Sequence, residues 1–398
     1  MHREDFPMIK DNLVYFDNGA TTFKPKVVLD SMNDYYTNYC ANAHRGDYKI
    51  SQIASDKYEE TRNIIKEFIN AKSPNEIVFT SGNTESINLL VFGYFKKILS
   101  KDDEVLITKS EHASNVLPWF ILEKSIGIKV KYIPLTEQKE LSLSNLNSVI
   151  TPKTKVISIA HITNVIGDIR PIKDITSLAH KKGITVLIDG AQSIAHTKVD
   201  VSDMDVDFYT FSSHKLYGPT GVGVIYGKYD LLSQVDPLNY GGGMNSLFEE
   251  NGYYELKPLP LRLEGGTPNI VGVIGLGSAI KYIKNIGIDK IEEYELNLRN
   301  YLISKLKQLD FITIYNEFAQ GPTVAFNIKG VFSQDTSIYL DKYNICIRAG
   351  NHCAKILKDE INIRNTCRIS LALYNTKEEI DLLINVLKNS KNIWQEIL

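Results

Sequence analysis

Asp205-Val-Asp-Phe-Tyr-Thr-Phe-Ser-Ser-His-Lys-Leu-Tyr-Gly-Pro219 runs from a short β-type segment into a polar turn that carries Lys215. Upstream, Thr185-Val-Leu-Ile-Asp-Gly-Ala-Gln192 reads as a buried strand ending in an acid. In a parallel α/β sheet such a strand is apolar on both faces and delivers its last residue to the carboxyl edge, where ligands bind. Asp189 is therefore expected at that edge, beside the lysine. A lysine amine forms Schiff bases, and an acid keeps a ring nitrogen protonated; pyridoxal phosphate needs both to act as an electron sink. Taken singly, a lysine in a polar turn is an ordinary solvated side chain, and an acid after a strand is an ordinary turn former or helix cap.

The chain has 398 residues, enough for a large core and for two domains sharing one site. Its 45 basic and 47 acidic residues nearly balance, so no global field argues for nucleic acid or an anionic membrane surface. Four cysteines, Cys40, Cys346, Cys353 and Cys367, are too few and too scattered for a disulfide framework, and without a CxxC pair no metal site is expected. The first ten residues contain acids and lack a signal-peptide core, and no apolar run is long enough to span a bilayer. A soluble, cytoplasmic protein is the expectation.

Apolar residues at helical spacing mark a packing helix over Tyr48–Asn70. From Glu76 to Tyr226 seven strand-like runs alternate with helical ones: Glu76–Thr80, the run opening at Asp103, Ile128–Ile133, Lys155–Ala160, Thr185–Asp189, Phe208–Phe211 and Gly221–Tyr226. That alternation is the βαβ signature. After the first strand, Ser81-Gly-Asn-Thr-Glu-Ser86 leads into a helix, the arrangement that presents free backbone N–H groups to a phosphate. Tyr240–Asn269 is charged and irregular, a surface excursion. Two amphipathic helices follow, over Val271–Ile286 and Lys290–Leu309. The expected division is an N-terminal segment at 1–20, packing near the site and the small domain, a large cofactor-binding domain at 21–270 and a small domain at 271–398.

Cys353 lies in Ile345-Cys-Ile-Arg-Ala-Gly-Asn-His-Cys-Ala354, which leaves a β-type run and turns through Gly350. A single cysteine is usually a buried, inert thiol. Here the segment is polar, and Arg348 and His352 stand close enough in sequence to lower the thiol pKa by their charge.

Ser212-Ser-His-Lys215, Asp189-Gly-Ala-Gln192 and Gly218-Pro-Thr-Gly-Val-Gly223 resemble, in sequence and order, the fold type I pyridoxal phosphate enzymes of aminotransferase class V. The resemblance implies an α/β fold, with a large domain built on a mostly parallel seven-stranded sheet and a smaller C-terminal α/β domain. It implies a Schiff base on Lys215, Asp189 at the ring nitrogen, Asn164 and Gln192 at the ring hydroxyl oxygen, and Thr84, Ser212 and His214 around the phosphate. Asn83 stands where the family carries threonine. His112, in Glu111-His-Ala-Ser-Asn115, resembles the histidine that stacks on the ring; an imidazole with an ordinary pKa near 6.5 also offers a proton near neutrality. Thr267 of Gly-Thr-Pro resembles the residue that reaches the phosphate of a neighbouring subunit, which implies a homodimer.

The Arg348–Ala354 segment is similar to the Arg-x-Gly-His-His-Cys-Ala loop of group II cysteine desulfurases, the SUF-type branch that includes selenocysteine lyases, with Asn351 in place of the first histidine. Asn365-Thr-Cys-Arg-Ile-Ser-Leu-Ala-Leu-Tyr-Asn-Thr376 is similar to the segment whose arginine, here Arg368, clamps the substrate carboxylate. Arg348, Asn164 and His44, the last in a His-Arg-Gly loop, complete the implied substrate contacts. Cys353 would take sulfur from L-cysteine as a persulfide and pass it to a small SufE-like or SufU-like acceptor for iron–sulfur cluster assembly. A selenocysteine lyase, another class V enzyme, and a non-catalytic interaction protein on the same scaffold are the alternatives.

Overall fold

The structure, a computed structural model, describes residues 2–10 and 12–389. Met1 and Asp11 of the expected N-terminal segment, and residues 390–398 of the expected small domain, lie outside the described residues. After β1 (Val14–Tyr15) and helices α1 (Lys26–Asn38) and α2 (Lys49–Phe68) come β2 (Ile77–Thr80) and α3 (Asn83–Leu90). The sheet continues with β3 (Glu104–Ile107), β4 (Lys129–Tyr132), β5 (Thr154–Ala160), β6 (Thr185–Asp189), β7 (Phe208–Ser212) and β8 (Gly223–Gly227). These are the runs expected between Glu76 and Tyr226. They form one seven-stranded sheet in the order β2-β8-β7-β6-β5-β3-β4, with β8 antiparallel to both neighbours and the other pairings parallel.

Helices cover both faces, which is why β6 and β7 read as unbroken apolar runs rather than alternating ones. On one face Ile157, Ile188, Tyr209 and Phe211 pack with Tyr58 and Ile65 of α2 and with the helix Ile270–Ile286. On the other, Val105, Leu187, Phe208 and Ile225 pack with Leu90, Phe95 and Trp119. At the edge, β4 alternates exposed Lys129 and Lys131 with partly buried Val130 and Tyr132, a charged rim that discourages strand addition.

The helix Ile270–Ile286, expected in the small domain, belongs to the large core: Val273, Leu276, Ile280 and Ile283 are buried there. Its approach to α2 needs glycine, since a Cβ on Gly277 would meet the Thr61 hydroxyl at 2.5 Å. The second core begins only at Leu298, midway along the helix Ile288–Leu306. Amphipathic spacing shows that a helix has a buried face; it does not show which core receives it.

Within the surface excursion, β9 (Asn245–Phe248) and β10 (Tyr254–Leu256) pair as an antiparallel hairpin. Both strands are largely exposed, so no burial pattern marked them. The second sheet comprises β11 (Ile312–Ile314), β12 (Thr323–Ile328), β14 (Arg348–Gly350) and β15 (Thr366–Ser370) in the antiparallel order β11-β12-β15-β14, and β13 (Ile345–Cys346) pairs in parallel with β1. Val14 and Phe16 thereby join the second core, so the N-terminal segment is sewn into the part of the fold that carries Arg368 and Cys353. Among the described residues no helix is long and apolar enough to cross a membrane.

Candidate active site

The carboxyl ends of β2, β5, β6 and β7 open on a cavity of about 230 Å³ closed from the other side by β14, the loop after it and Arg368 of β15. After β2 the chain turns through Ser81-Gly82 into α3, and the turn lies so close to β8 that a Cβ on Gly223 would meet the Gly82 carbonyl carbon at 2.5 Å. The first amide of α3, Asn83 N–H, donates to Ser212 Oγ at 2.8 Å, and Thr84 Oγ1 shares a 2.8 Å hydrogen bond with Ser114 Oγ. Asn83 Nδ2 donates to Asp189 Oδ1 at 2.8 Å.

Asp189 ends β6 fully enclosed, and Ala191 N–H donates to the same Oδ1 at 2.9 Å. Burial raises its pKa, against the pull of the Ala191 amide, Lys215 and Asn83. Lys215 closes the short turn Ser213–Lys215 after β7. Burial lowers its amine to about 8; Asp189 and Cys353 oppose the shift, and Arg368 and Arg348 add to it. The backbone just ahead of it is pinned, because His214 C=O accepts from Thr22 N–H at 3.0 Å, from both the Thr21 and Thr22 hydroxyls at 3.1 Å and from Lys24 Nζ at 3.3 Å. Sequence reading missed this clamp, since nothing in Thr21-Thr22-Phe23-Lys24 signals a partner about two hundred residues away.

His112 Nδ1 accepts Ser114 N–H at 3.2 Å, which leaves the ring proton on Nε2. Burial, then Lys215 and the two guanidinium groups, push its pKa down to about 4, so the expectation of an imidazole titrating near neutrality is corrected: the ring is neutral there. Beneath it Glu111 is wholly buried, accepting Arg170 Nη1 at 2.6 Å and Ala160 N–H at 2.8 Å, and so ties the His112 turn to the end of β5.

In the cysteine loop His352 and Cys353 are both left-handed, with φ of 51° and 57°, a conformation that disfavours non-glycine residues. Two bonds hold it. Asn164 Nδ2 donates to His352 O at 2.7 Å, and Ala113 N–H donates to Cys353 O at 2.7 Å. Cys353 is exposed and lines the cavity. His352 lines it too but is buried: its Nε2 lies 2.9 Å from Thr366 Oγ1, and burial with Arg368 nearby pushes its pKa down to about 3. The expectation that His352 assists Cys353 by its charge is therefore corrected, because a neutral ring bonded to β15 has no charge to lend. Cys367 is buried, with its thiol pushed up to about 12, and Cys346 is also raised by burial.

Arg368, 2 % exposed, donates from Nη1 to Asn164 O at 3.0 Å and from Nη2 to Asp17 Oδ1 at 2.9 Å. Arg348 stands 3.9 Å from the same Asp17 carboxylate, a counter-ion that sequence reading did not single out. Gln192 Nε2 donates to Gly19 O at 2.9 Å, linking the N-terminal segment to the wall.

Asn83, Thr84, His112, Asn164, Asp189, Gln192, Ser212, His214, Lys215, Arg348, Cys353 and Arg368 are thus brought together around one cavity. His44, expected among the substrate contacts, is not, and Thr267, expected to reach a neighbouring subunit's phosphate, also lies outside this cavity. Thr267 lines a separate cavity with Glu264 and Asn269, and His44 lines another with Arg45 and Lys257, its Nε2 3.1 Å from Glu59. The main cavity suits pyridoxal phosphate: it joins an amine near its titration point, a buried acid, a neutral imidazole and a helix N-terminus flanked by hydroxyls. Asn83 Oδ1, Asn164 Oδ1 and Arg368 Nε are buried on its wall without a hydrogen-bond partner, as a polar ligand requires. Among the described residues no group of His, Cys, Asp or Glu stands together as a metal site.

The sheet order, with Lys215 after β7 and Asp189 at the end of β6, defines an α/β protein of the pyridoxal phosphate-dependent transferase fold type I. The model of the aminotransferase class-V family matches residues 14–383, and the chain belongs to that family. It is similar to a probable cysteine desulfurase of Halalkalibacterium halodurans, 41% identical over 97% of this chain and 95% of the relative. It is 38% identical to a cysteine desulfurase of Yersinia pseudotuberculosis over 96% of this chain and 95% of that one. Among solved structures, the cysteine desulfurase CsdA (S-sulfonic acid) from Escherichia coli superposes with a TM-score of 0.92 at 34% identity, covering 100% of this chain and 98% of that one. The apo cysteine desulfurase from Thermococcus onnurineus gives 0.93 at 36% identity, covering 97% and 96%.

Proposed function

We propose that this protein is a pyridoxal phosphate-dependent L-cysteine desulfurase that releases L-alanine and retains the sulfur as a persulfide on Cys353. The observation that carries the reading is an exposed thiol on the wall of the cavity that also holds Lys215, Asp189 and Arg368. Bound there, pyridoxal phosphate supplies the electron sink for bond breaking at the substrate. Lys215 would hold it through its amine and afterwards move the proton at the substrate Cα. Asp189 would keep the ring nitrogen protonated, Gln192 and Asn164 would face the ring oxygen, and Thr84, Ser212, His214 and the first amides of α3 would take the phosphate, with Asn83 in the same loop. His112 offers a flat neutral ring and one N–H.

Arg368, with Arg348 and Asn164, orients the substrate carboxylate. The Cys353 thiolate bonds to the substrate sulfur as the Cβ–S bond breaks; the electron pair left on carbon takes a proton, and alanine leaves. L-cysteine and a thiol become L-alanine and a persulfide, so no oxidant enters. Covalent capture keeps sulfur from escaping as sulfide and available to a small SufE-like or SufU-like acceptor, and through it to iron–sulfur cluster assembly. Thr267 and His44, each outside its own chain's main cavity, support a homodimer in which they serve the neighbouring site. Four free cysteines suit a reducing compartment, the cytoplasm.

The test is turnover of L-cysteine by the purified protein, following alanine and enzyme-bound sulfur together. Equal amounts are expected, and Cys353→Ser should abolish both while cofactor stays bound. Full cysteine turnover by that variant would sink the proposal, and turnover confined to selenocysteine would make the protein a selenocysteine lyase.

A further inference from the structure

Asp189 uses its two oxygens unequally. Oδ1 accepts from both Ala191 N–H at 2.9 Å and Asn83 Nδ2 at 2.8 Å, whereas among the described residues Oδ2 accepts nothing, although Asp189 lines the cavity. Asn83 is itself buried, 7 % exposed, as the first residue of α3. Its backbone N–H reaches Ser212 Oγ whatever the side chain, so helix placement does not need the amide group. Nor does the amide satisfy itself, since Asn83 Oδ1 is buried without a partner, a costly state for an acceptor. The orientation is set by chemistry: turned over, the amide would place its oxygen against a carboxylate oxygen, two acceptors face to face. An asparagine nitrogen also lies one bond further from the backbone than the hydroxyl of threonine, the residue the family pattern carries here.

We propose that Asn83 is a positioning residue for Asp189, saturating Oδ1 and leaving Oδ2 as the single oxygen presented to the protonated ring nitrogen of the cofactor. The inference rests on the pyridoxal phosphate reading above. A donor to a carboxylate favours its charged form, so removing it makes Asp189 more basic and draws the shared proton off the ring nitrogen.

The experiment compares wild type with Asn83→Thr and Asn83→Ala as holoenzymes loaded with cofactor labelled with ¹⁵N at the ring nitrogen, recording the ¹⁵N signal against pH. Asn83→Thr installs the family's residue, so a folded reference is available if the alanine variant folds poorly. In both variants the ¹⁵N signal is expected to move toward the unprotonated-ring position at every pH at which the pair keeps its proton, because that proton passes to Asp189 and not to solvent, with kcat down about tenfold and KM for L-cysteine unchanged. Titrations that superimpose on wild type overturn the proposal. Variants that no longer retain the cofactor overturn it too, since they would make Asn83 a holding residue. A wild-type protein that takes up no cofactor strikes down the proposed function itself, and that failure is distinct because it precedes any comparison of variants.

Discussion

Replacing Arg368 with lysine keeps a charge in the clamp and removes its planar fork. The guanidinium is 2 % exposed and divides its donors between Asn164 O at 3.0 Å and Asp17 Oδ1 at 2.9 Å, leaving Nε unpaired in the wall. An ammonium cannot serve both partners and still offer two parallel N–H groups to a substrate carboxylate. Losing one charge-assisted hydrogen bond costs about 1.5–3 kcal/mol, and about 1.36 kcal/mol is a factor of ten, so kcat/KM for L-cysteine should fall roughly 10- to 100-fold. Since the carboxylate is held alike in ground and transition states, the loss should fall on KM rather than kcat. Arg368→Ala should cost more than the lysine variant, because it removes every one of the clamp's donors to the substrate carboxylate and leaves Asp17 only the more distant Arg348. The assay is steady-state alanine formation, with desulfuration of cysteamine, which has no carboxylate, as the control. A lysine variant with undiminished kcat/KM for cysteine would refute the reasoning, as would an equal loss on cysteamine.

Two further outcomes follow from the electrostatics of the cavity. Lys215 is lowered from 10.5 to about 8, and an amine is nucleophilic only above its pKa, so the rate of cofactor uptake by the apoprotein should rise through about pH 8 and level off above it; a flat profile across that range would contradict the assignment. His352, neutral and bonded to Thr366, should be replaceable by glutamine without shifting the pH profile of Cys353 alkylation, at a stability cost of about 1 kcal/mol read from urea unfolding; a profile moved to higher pH would restore a charge role to the histidine.

The strands were legible because their signal is local. A buried parallel strand needs β-branched and aromatic residues on both faces, so Thr185–Asp189 and Phe208–Ser212 declare themselves without knowledge of their neighbours. The hairpin over Asn245–Leu256 was not legible, since its strands bury almost nothing. The helix Ile270–Ile286 showed its apolar character but not its address, which depends on the close approach at Gly277.

By itself the sequence determined the α/β sheet and its edge, the lysine and the acid standing at that edge, and the polar loop that carries Cys353, because each is written in a few consecutive residues and in the period of their burial. Only the tertiary structure decided which groups are charged and which donors are already engaged. His112 and His352 lose their charge through burial beside arginines; Asp17 reaches Arg368 across 351 positions; Asn83 finds Asp189 across 106. Desolvation and Coulomb interactions depend on distances in space, and residues this far apart in the chain carry no local pattern from which those distances could be read.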